Sequence, residues 1–380
     1  MPTSVGPNTK GEENLVFGYD LGDVSNSYKG EPTTNVIADP EPLSGWTISN
    51  NGTSAATITY SSDNGIPHME LSSVNVDGSY PRIYMANLTS TITDGFSISF
   101  EAKSNVSNVQ LGLALYSLAS TKITQYATLS TEWQRFEFEN LTTGFTLDDG
   151  YLRIPSTTSG AVYYIRRIQV EQKTHATPFV AGTRSATQGL LDLTGNSTAD
   201  LTNVSFDSNA QITFDGTDDE ITVPDSALLD LTTEMSFEFV FKASSSQSNL
   251  YPRLIDKSSW LVHILQTPPF GYYQNVYTSA GLRQTGTTSA TIQADTWYHI
   301  ASTYNGQIGR IYINGNLERT QDFGSVLPCT VNGTAVTIGG DTGTSRQFNG
   351  QIPVVKIYNR ALTASEIKSN FNAIKRRFNI

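Results

Sequence analysis

The sequence predicts an all-β protein: two β-sandwich (jelly-roll) domains, with one short C-terminal helix docked on the second. Three observations carry this. Apolar residues alternate with polar ones at period two in both halves of the chain. Strand-forming Thr, Tyr, Phe, Val and Ile are punctuated by Gly, Asn and Asp turn clusters. The 380 residues are enough to bury two cores. Charged residues make up 16%, against roughly 25% in typical soluble domains, so the Glu, Lys, Ala and Leu that build long amphipathic helices are scarce.

Taken in chain order, the first strands are short and alternating. Phe96, Ile98 and Phe100 face one way, and Ser97, Ser99 and Glu101 the other. Val109, Leu111, Leu113 and Leu115 repeat the pattern, as do Phe136 and Phe138 between Arg135, Glu137 and Glu139. Val162 to Val170 reads as a long closing strand, and Asp63-Asn64-Gly65 and Asp148-Asp149-Gly150 read as turns. From Lys173 to Gln188 the alternation dissolves, which marks a connector. Strands resume at Ile212 to Phe214, Ile221 to Val223, Phe237 to Phe241 and Trp297 to Tyr304. Asn314-Gly315 between Arg310 to Ile313 and Asn316 to Glu318 predicts a type I′ hairpin, because both residues tolerate positive φ. Thr363 and Glu366 form a capping box, followed by Ile367, Phe371, Ile374 and Phe378 at helical spacing.

The net charge of −11 disfavours nucleic acid as a partner, since phosphate affinity comes from Lys and Arg. Lys375-Arg376-Arg377 is read as a basic helix end complementing the dipole. The lone Cys329 permits no disulfide within the chain. Met1 to Pro7 has no signal-peptide pattern, so synthesis in a cytoplasm is expected. The apolar stretch around Leu111 to Ala119 is too short to span a bilayer. Triplets such as Asn87-Leu88-Thr89 and Asn196-Ser197-Thr198 are expected by chance in a Thr-rich chain.

A resemblance adds to this reading. Phe214-Asp215-Gly216-Thr217-Asp218-Asp219, Trp297-Tyr298-His299, Ile311 to Gly315, Ile338-Gly339-Gly340, Phe348-Asn349-Gly350 and Ile357 to Ile367 follow one another across residues 189 to 375. In that order they resemble the concanavalin A-like, laminin-G-type lectin domains. Trp133-Gln134-Arg135-Phe136 and Tyr164 to Ile168 resemble strands of the jelly-roll carbohydrate-binding modules. Together with Gly30 to Asn35 and Pro178 to Ser185, the whole resembles virion proteins of tailed bacteriophages, notably those of cyanobacteria. The resemblance implies a capsid decoration, head-fibre or tail-appendage protein located in the virion. Its implied partners are other virion proteins, copies of itself and host surface polysaccharide.

It also implies a topology. Leu15 to Leu21 resembles the first strand of the lectin-type domain, yet the Asp192-Leu193-Thr194-Gly195-Asn196 turn that should follow lies a domain's length away. The expected organisation is therefore an arm over 1–13, a discontinuous sandwich from 14–30 plus 183–380, an inserted jelly roll over 35–172 and a connector over 173–182. Insertion at an exposed loop costs little because domain termini often lie close together. The alternative is a free N-terminal arm docking on a neighbouring virion protein.

Catalysis is not expected. Glycosidase carboxyls stand about 5–5.5 Å apart for retention and about 6.5–9.5 Å for inversion. Glu234 and Glu238 on one strand would be about 13 Å apart. Glu137 and Glu139 would be about 6.6 Å apart, but their alternation with Phe136 and Phe138 assigns them to a solvent face. His68, His175, His263 and His299 lack zinc-ligand spacing. There is no nucleophile elbow and no phosphate loop. No cofactor is expected. Calcium is the nearest candidate, with Asp215, Asp218 and Asp219 as hard donors. Where the two resembled families often carry acidic ligands, however, this chain has Pro353-Val354 and Arg166-Arg167. For glycan stacking, the aromatic loop bearing Phe270, Tyr272 and Tyr273 is the leading candidate, with Tyr80 and Tyr84 next. Three functions compete: a virion structural component, a host-glycan adhesin without a structural role, and, as an outlier, a glycanase.

Overall fold

A computed structural model describes residues 12–42, 44, 46–49, 55–74, 82–84, 92–117, 120–142, 149–153, 160–206, 211–247, 250–287, 292–341 and 346–380. Of the expected N-terminal arm, residues 1–11 lie outside the described residues, as does Tyr80. Among the described residues the chain is all-β apart from a short 3₁₀ turn at Ala186–Gln188 and one α-helix, Ala364–Phe378. It divides into two compact units, residues 1–32 with 185–380, and residues 33–184.

The discontinuous unit is a sandwich of two antiparallel sheets. The first runs Ser205–Phe206, Ile212–Asp215, Asn349–Tyr358, Met235–Ala243, Trp297–Tyr304, Ile308–Ile313 and Asn316–Asp322. Leu15–Asp20 joins it by pairing with the C-terminal half of Asn349–Tyr358, Tyr19 opposite Val355 and Asp20 opposite Val354. Ile212–Asp215 takes the N-terminal half of that same strand. The second sheet runs Ile221–Val223, Val336–Ile338, Arg253–Asp256, Trp260–Ile264, Tyr272–Thr278 and Gly281–Gly286. Parity decides what each strand buries. Phe237, Phe239 and Phe241 point into the core, where Phe237 packs on Trp260 at 4.9 Å between ring centroids. Phe17, Tyr19, Phe214, Tyr272 and Tyr304 fill the same core.

Asp192 ties the Leu15–Asp20 strand to the turn that follows the second unit. Its Oδ1 accepts from Gly18 N at 3.0 Å and its Oδ2 accepts from Asn196 N and Ser197 N at 3.1 Å. The helix lies on the outer face of the first sheet, with Ile367 in one cluster with Ala301, Tyr312 and Tyr358. Thr363 caps it reciprocally with Glu366, and Asn379 closes it in the left-handed conformation at φ 56°. The basic last turn does more than complement the dipole, for Arg377 Nη1 donates to Asp20 Oδ2 at 2.9 Å. The Asn314-Gly315 hairpin forms with φ of 50° and 71°, as a type I′ turn requires.

The unit over 33–184 has two five-stranded antiparallel sheets. One is Gln134–Leu141, Phe96–Ser104, Val162–Glu171, Ile66–Val74 and Ala55–Asp63. The other is Thr47–Ser49, Arg82–Tyr84, Asp149–Arg153, Val109–Ser117 and Ser120–Leu129. Met69, Phe96, Phe100, Leu111, Leu113, Tyr163 and Ile165 form its core. The stretch expected as a connector is stitched into this unit. Thr177 is buried and donates through N and Oγ1 to Glu171, while Val180 N donates to Gln169 Oε1 at 2.7 Å.

Candidate functional site

A concave site lies on the outward face of the second sheet. It is a cleft of about 340 Å³ lined by Tyr251, Arg253, His263, Tyr273, Asn275, Tyr277, Gln284 and Arg346, with Leu265 at one side. Strand parity builds it. Trp260, Val262 and Ile264 point into the core, which turns His263 outward. Tyr272 and Val276 point inward, which turns Tyr273, Asn275 and Tyr277 outward. Register then brings these residues together, with Arg253 opposite His263, His263 opposite Tyr273, and Asn275 opposite Gln284.

The side chains are held in place. His263 stacks on Tyr273 with ring centroids 5.2 Å apart and planes 12° apart, and Tyr251 meets its edge at 5.5 Å. The Tyr273 ring covers Gly286, where a Cβ would come within 2.2 Å of ring carbon, so glycine is needed there. Gln284 Nε2 donates to Asn275 Oδ1 at 2.9 Å. Arg253 Nε donates to Asp256 Oδ2 at 3.0 Å. Arg346 lies over the Tyr251 ring at 5.9 Å and, among the described residues, keeps only a 3.9 Å ion pair with Asp341. Burial lowers the His263 pKa, and the nearby charges of Arg253 and Arg346 lower it further, to about 3. The imidazole is therefore neutral at ordinary pH. Tyr251 and Tyr277 are exposed, at 43% and 37%, and offer open ring faces. Rings beside amide and guanidinium donors are what a saccharide needs: apolar pyranose faces stack while hydroxyls are hydrogen-bonded.

The sequence-predicted stacking residues do not all reach this surface. Phe270 and Tyr272 are corrections, because both are fully buried. Tyr272 starts a strand facing inward, its hydroxyl within 3.1 Å of Ser302 Oγ, and burial raises its pKa. Neither has a ring face open to a ligand. Tyr273 lines the cleft. Tyr84 ends the strand Arg82–Tyr84, and its side chain, like all of Tyr80, lies outside what is described. Arg253, His263, Tyr277 and Arg346 were not anticipated.

Asp215, Asp218 and Asp219 come together, with one carboxylate oxygen of each within 4.8 Å of the others. Burial raises the Asp219 pKa to about 6, and the charges of Asp215 and Asp218 add to that against the bond from Asp215 N. These are hard donors of the kind calcium takes. Two of them already serve the turn, however: Asp219 Oδ2 accepts from Asp215 N at 2.8 Å and Asp215 Oδ1 from Thr217 N at 2.7 Å. Turn formation accounts for the cluster, and we assign it no ion. In the other unit, Arg166 and Arg167 are both paired to Glu101.

The carboxylates weighed for catalysis are occupied elsewhere. Glu238 is buried beneath the helix, accepting from Tyr358 Oη at 3.1 Å and Asn370 Nδ2 at 2.8 Å, with His299 Nε2 3.4 Å away. Glu234 accepts from Ala361 N at 3.3 Å. Glu137 pairs with Arg135 and Glu139 accepts from Ala176 N, both exposed. A second aromatic face surrounds Trp133, but Arg166 already covers that ring at 3.9 Å and Lys103 at 4.9 Å.

Comparison with known proteins gives one family and a set of folds. Residues 215–368 match the Concanavalin A-like lectin/glucanases superfamily. No curated protein matches the chain. Among solved structures, the binding domain of Paraclostridial Mosquitocidal Protein 1 is 16% identical, with 48% of this chain and 49% of that one covered and a TM-score of 0.41. The binding domain of botulinum neurotoxin serotype G is 16% identical over 48% of each chain, at a TM-score of 0.40. A serotype D ligand-binding domain in complex with N-acetylneuraminic acid is 16% identical over 50% of this chain and 49% of that one, at 0.39. The matched region thus spans about half of each of these structures. The matched residues 215–368, which include the cleft, are similar to the Concanavalin A-like lectin/glucanases superfamily.

Proposed function

We propose that this chain is a non-catalytic saccharide-binding protein carried on a bacteriophage particle, and that the cleft between Tyr251 and Tyr277 is its binding site. The observation that carries the binding reading is the convergence there of three tyrosines, a stacked histidine, two amides and two arginines on one outward sheet face. No carboxylate is among the described residues lining the cleft. Glycoside hydrolysis needs a pair of them, so the site favours holding a sugar over cleaving it. The fold alone would not decide this, because one sandwich hosts many functions.

The virion assignment rests on the sequence resemblance around Gly30 to Asn35 and Pro178 to Ser185. With it go the proposed contacts to other virion proteins and to further copies of the chain. In this reading the unit over 33–184 is the inserted module-like jelly roll. A host-glycan adhesin without a structural role would use the same cleft. A glycan array probed with the full chain tests the proposal. We expect binding to host-type polysaccharide that falls at least tenfold in Tyr277→Ala, whose ring is exposed and whose loss leaves the core intact. No glycan signal in the wild type, or a signal unchanged in Tyr277→Ala, would overturn it.

A further inference from the structure

The two arginines give the cleft a chemical preference of its own. Arg253 and Arg346 come from neighbouring backbones, since Arg253 N donates to Arg346 O at 2.9 Å. Both side chains line the same cleft. Arg253 is nearly buried, at 4% exposure, and its Nε is taken by Asp256. Its two terminal nitrogens have no acceptor among the described residues. Among the described residues, Arg346 has only Asp341, at a distance too long for a hydrogen bond. Each guanidinium therefore keeps unused donors in a fork that matches carboxylate and sulfate geometry.

The surroundings reinforce this. His263, 3% exposed, sits between Arg253 and Tyr273 with its Nδ1 enclosed and without a partner among the described residues. The charges of both arginines fall on its ring, although Arg253 faces Asp256 and Arg346 faces Asp341. Neutral sugars do not require such a pair of charges.

We propose that the cleft selects an anionic saccharide, carboxylated or sulfated, whose acidic group is held by Arg253 and Arg346 while its ring stacks on Tyr277. This rests on the saccharide-binding reading above and makes it more specific. Because a guanidinium pair discriminates by charge, affinity should fall as salt rises.

Isothermal titration of the full chain with three oligomers tests it: polygalacturonate, a sulfated dextran and unmodified dextran. We expect one of the two acidic oligomers to bind at least tenfold more tightly than dextran, and which of them does so identifies the acidic group. Arg346→Gln, at a partly exposed position, should lose at least tenfold toward the acidic oligomer, and Arg346→Lys should not restore it, because a lysine cannot present the fork. Dextran bound as tightly as the acidic oligomers, with loss in Tyr277→Ala and none in Arg346→Gln, would overturn the anionic preference and leave the saccharide cleft standing. No binding of any oligomer, with none on the glycan array, would overturn both.

Discussion

At the scale of single residues, the cleft separates what a sequence can and cannot show. Parity was legible. In Trp260-Leu261-Val262-His263-Ile264 the apolar alternation alone turns His263 away from the core. The same rule applied to Tyr272-Tyr273-Gln274-Asn275-Val276-Tyr277 separates the buried Tyr272 from the outward Tyr273, Asn275 and Tyr277. Reading Phe270 to Tyr273 as a loop obscured this, because the strand begins at Tyr272 itself. What no local pattern shows is register, which brings Arg253, His263 and Tyr273 side by side from three strands, or the backbone bond that adds Arg346. His263 also supplies a stability test. Its folded pKa of about 3 lies below the ordinary 6.5. Between these values the unfolded chain binds a proton that the fold refuses, so stability falls as pH drops from about 6.5 toward about 3. The contribution is of the order of a few kcal/mol. Asp219, raised to about 6, acts in the opposite sense between about 6 and 3.8. The decisive comparison is therefore with His263→Asn, whose urea-unfolding stability should lose less, or gain more, between pH 7 and pH 4.5 than that of the wild type. Equal pH dependence in both would show that His263 is not held neutral.

At the scale of elements, short-range signals were reliable because they depend on neighbours in sequence. The capping box at Thr363 and the Asn314-Gly315 turn both form as the residues dictate. Where the helix docks is a tertiary matter. Gly315 connects the two, for it sits at φ 71° and a Cβ there would lie 2.9 Å from Phe371 and Lys368 side-chain carbons. Gly315→Ala should therefore cost the turn about 1–2 kcal/mol through the left-handed conformation alone, and more through the helix contact. Thermal unfolding of the full chain measures this. A loss below about 0.5 kcal/mol, the usual range of a neutral surface substitution, would mean that the hairpin and helix are not braced against each other. The stretch after Lys173 shows the opposite limit. Its Thr, Ala and Gly composition looked like a connector, yet the buried Gln169, Glu171 and Thr177 side chains bind it to the unit over 33–184. Polar residues hid that role because composition records polarity and not partners.

At the scale of the whole molecule, the chain's order in sequence is not its order in space. The first strand of the discontinuous unit is Leu15–Asp20, and the chain leaves that unit after Pro32 and returns at Ser185. The exit and return lie together, with Lys29 N donating to Gly189 O at 2.8 Å and Tyr28 bridging Leu190. Within the other unit, Thr33–Thr34 pairs with Thr183–Arg184, so its two ends also meet. Adjacent ends on both sides let each unit close its own core. In the proposed reading the discontinuous unit binds saccharide on the outward face of its second sheet. Hydrogen exchange of the full chain, with and without the tightest-binding saccharide, tests this most directly. The account predicts slower exchange on binding in Tyr272–Thr278 and at the sheet edge Gly281–Gly286. Protection confined to residues 33–184, with none in those two strands, would contradict it.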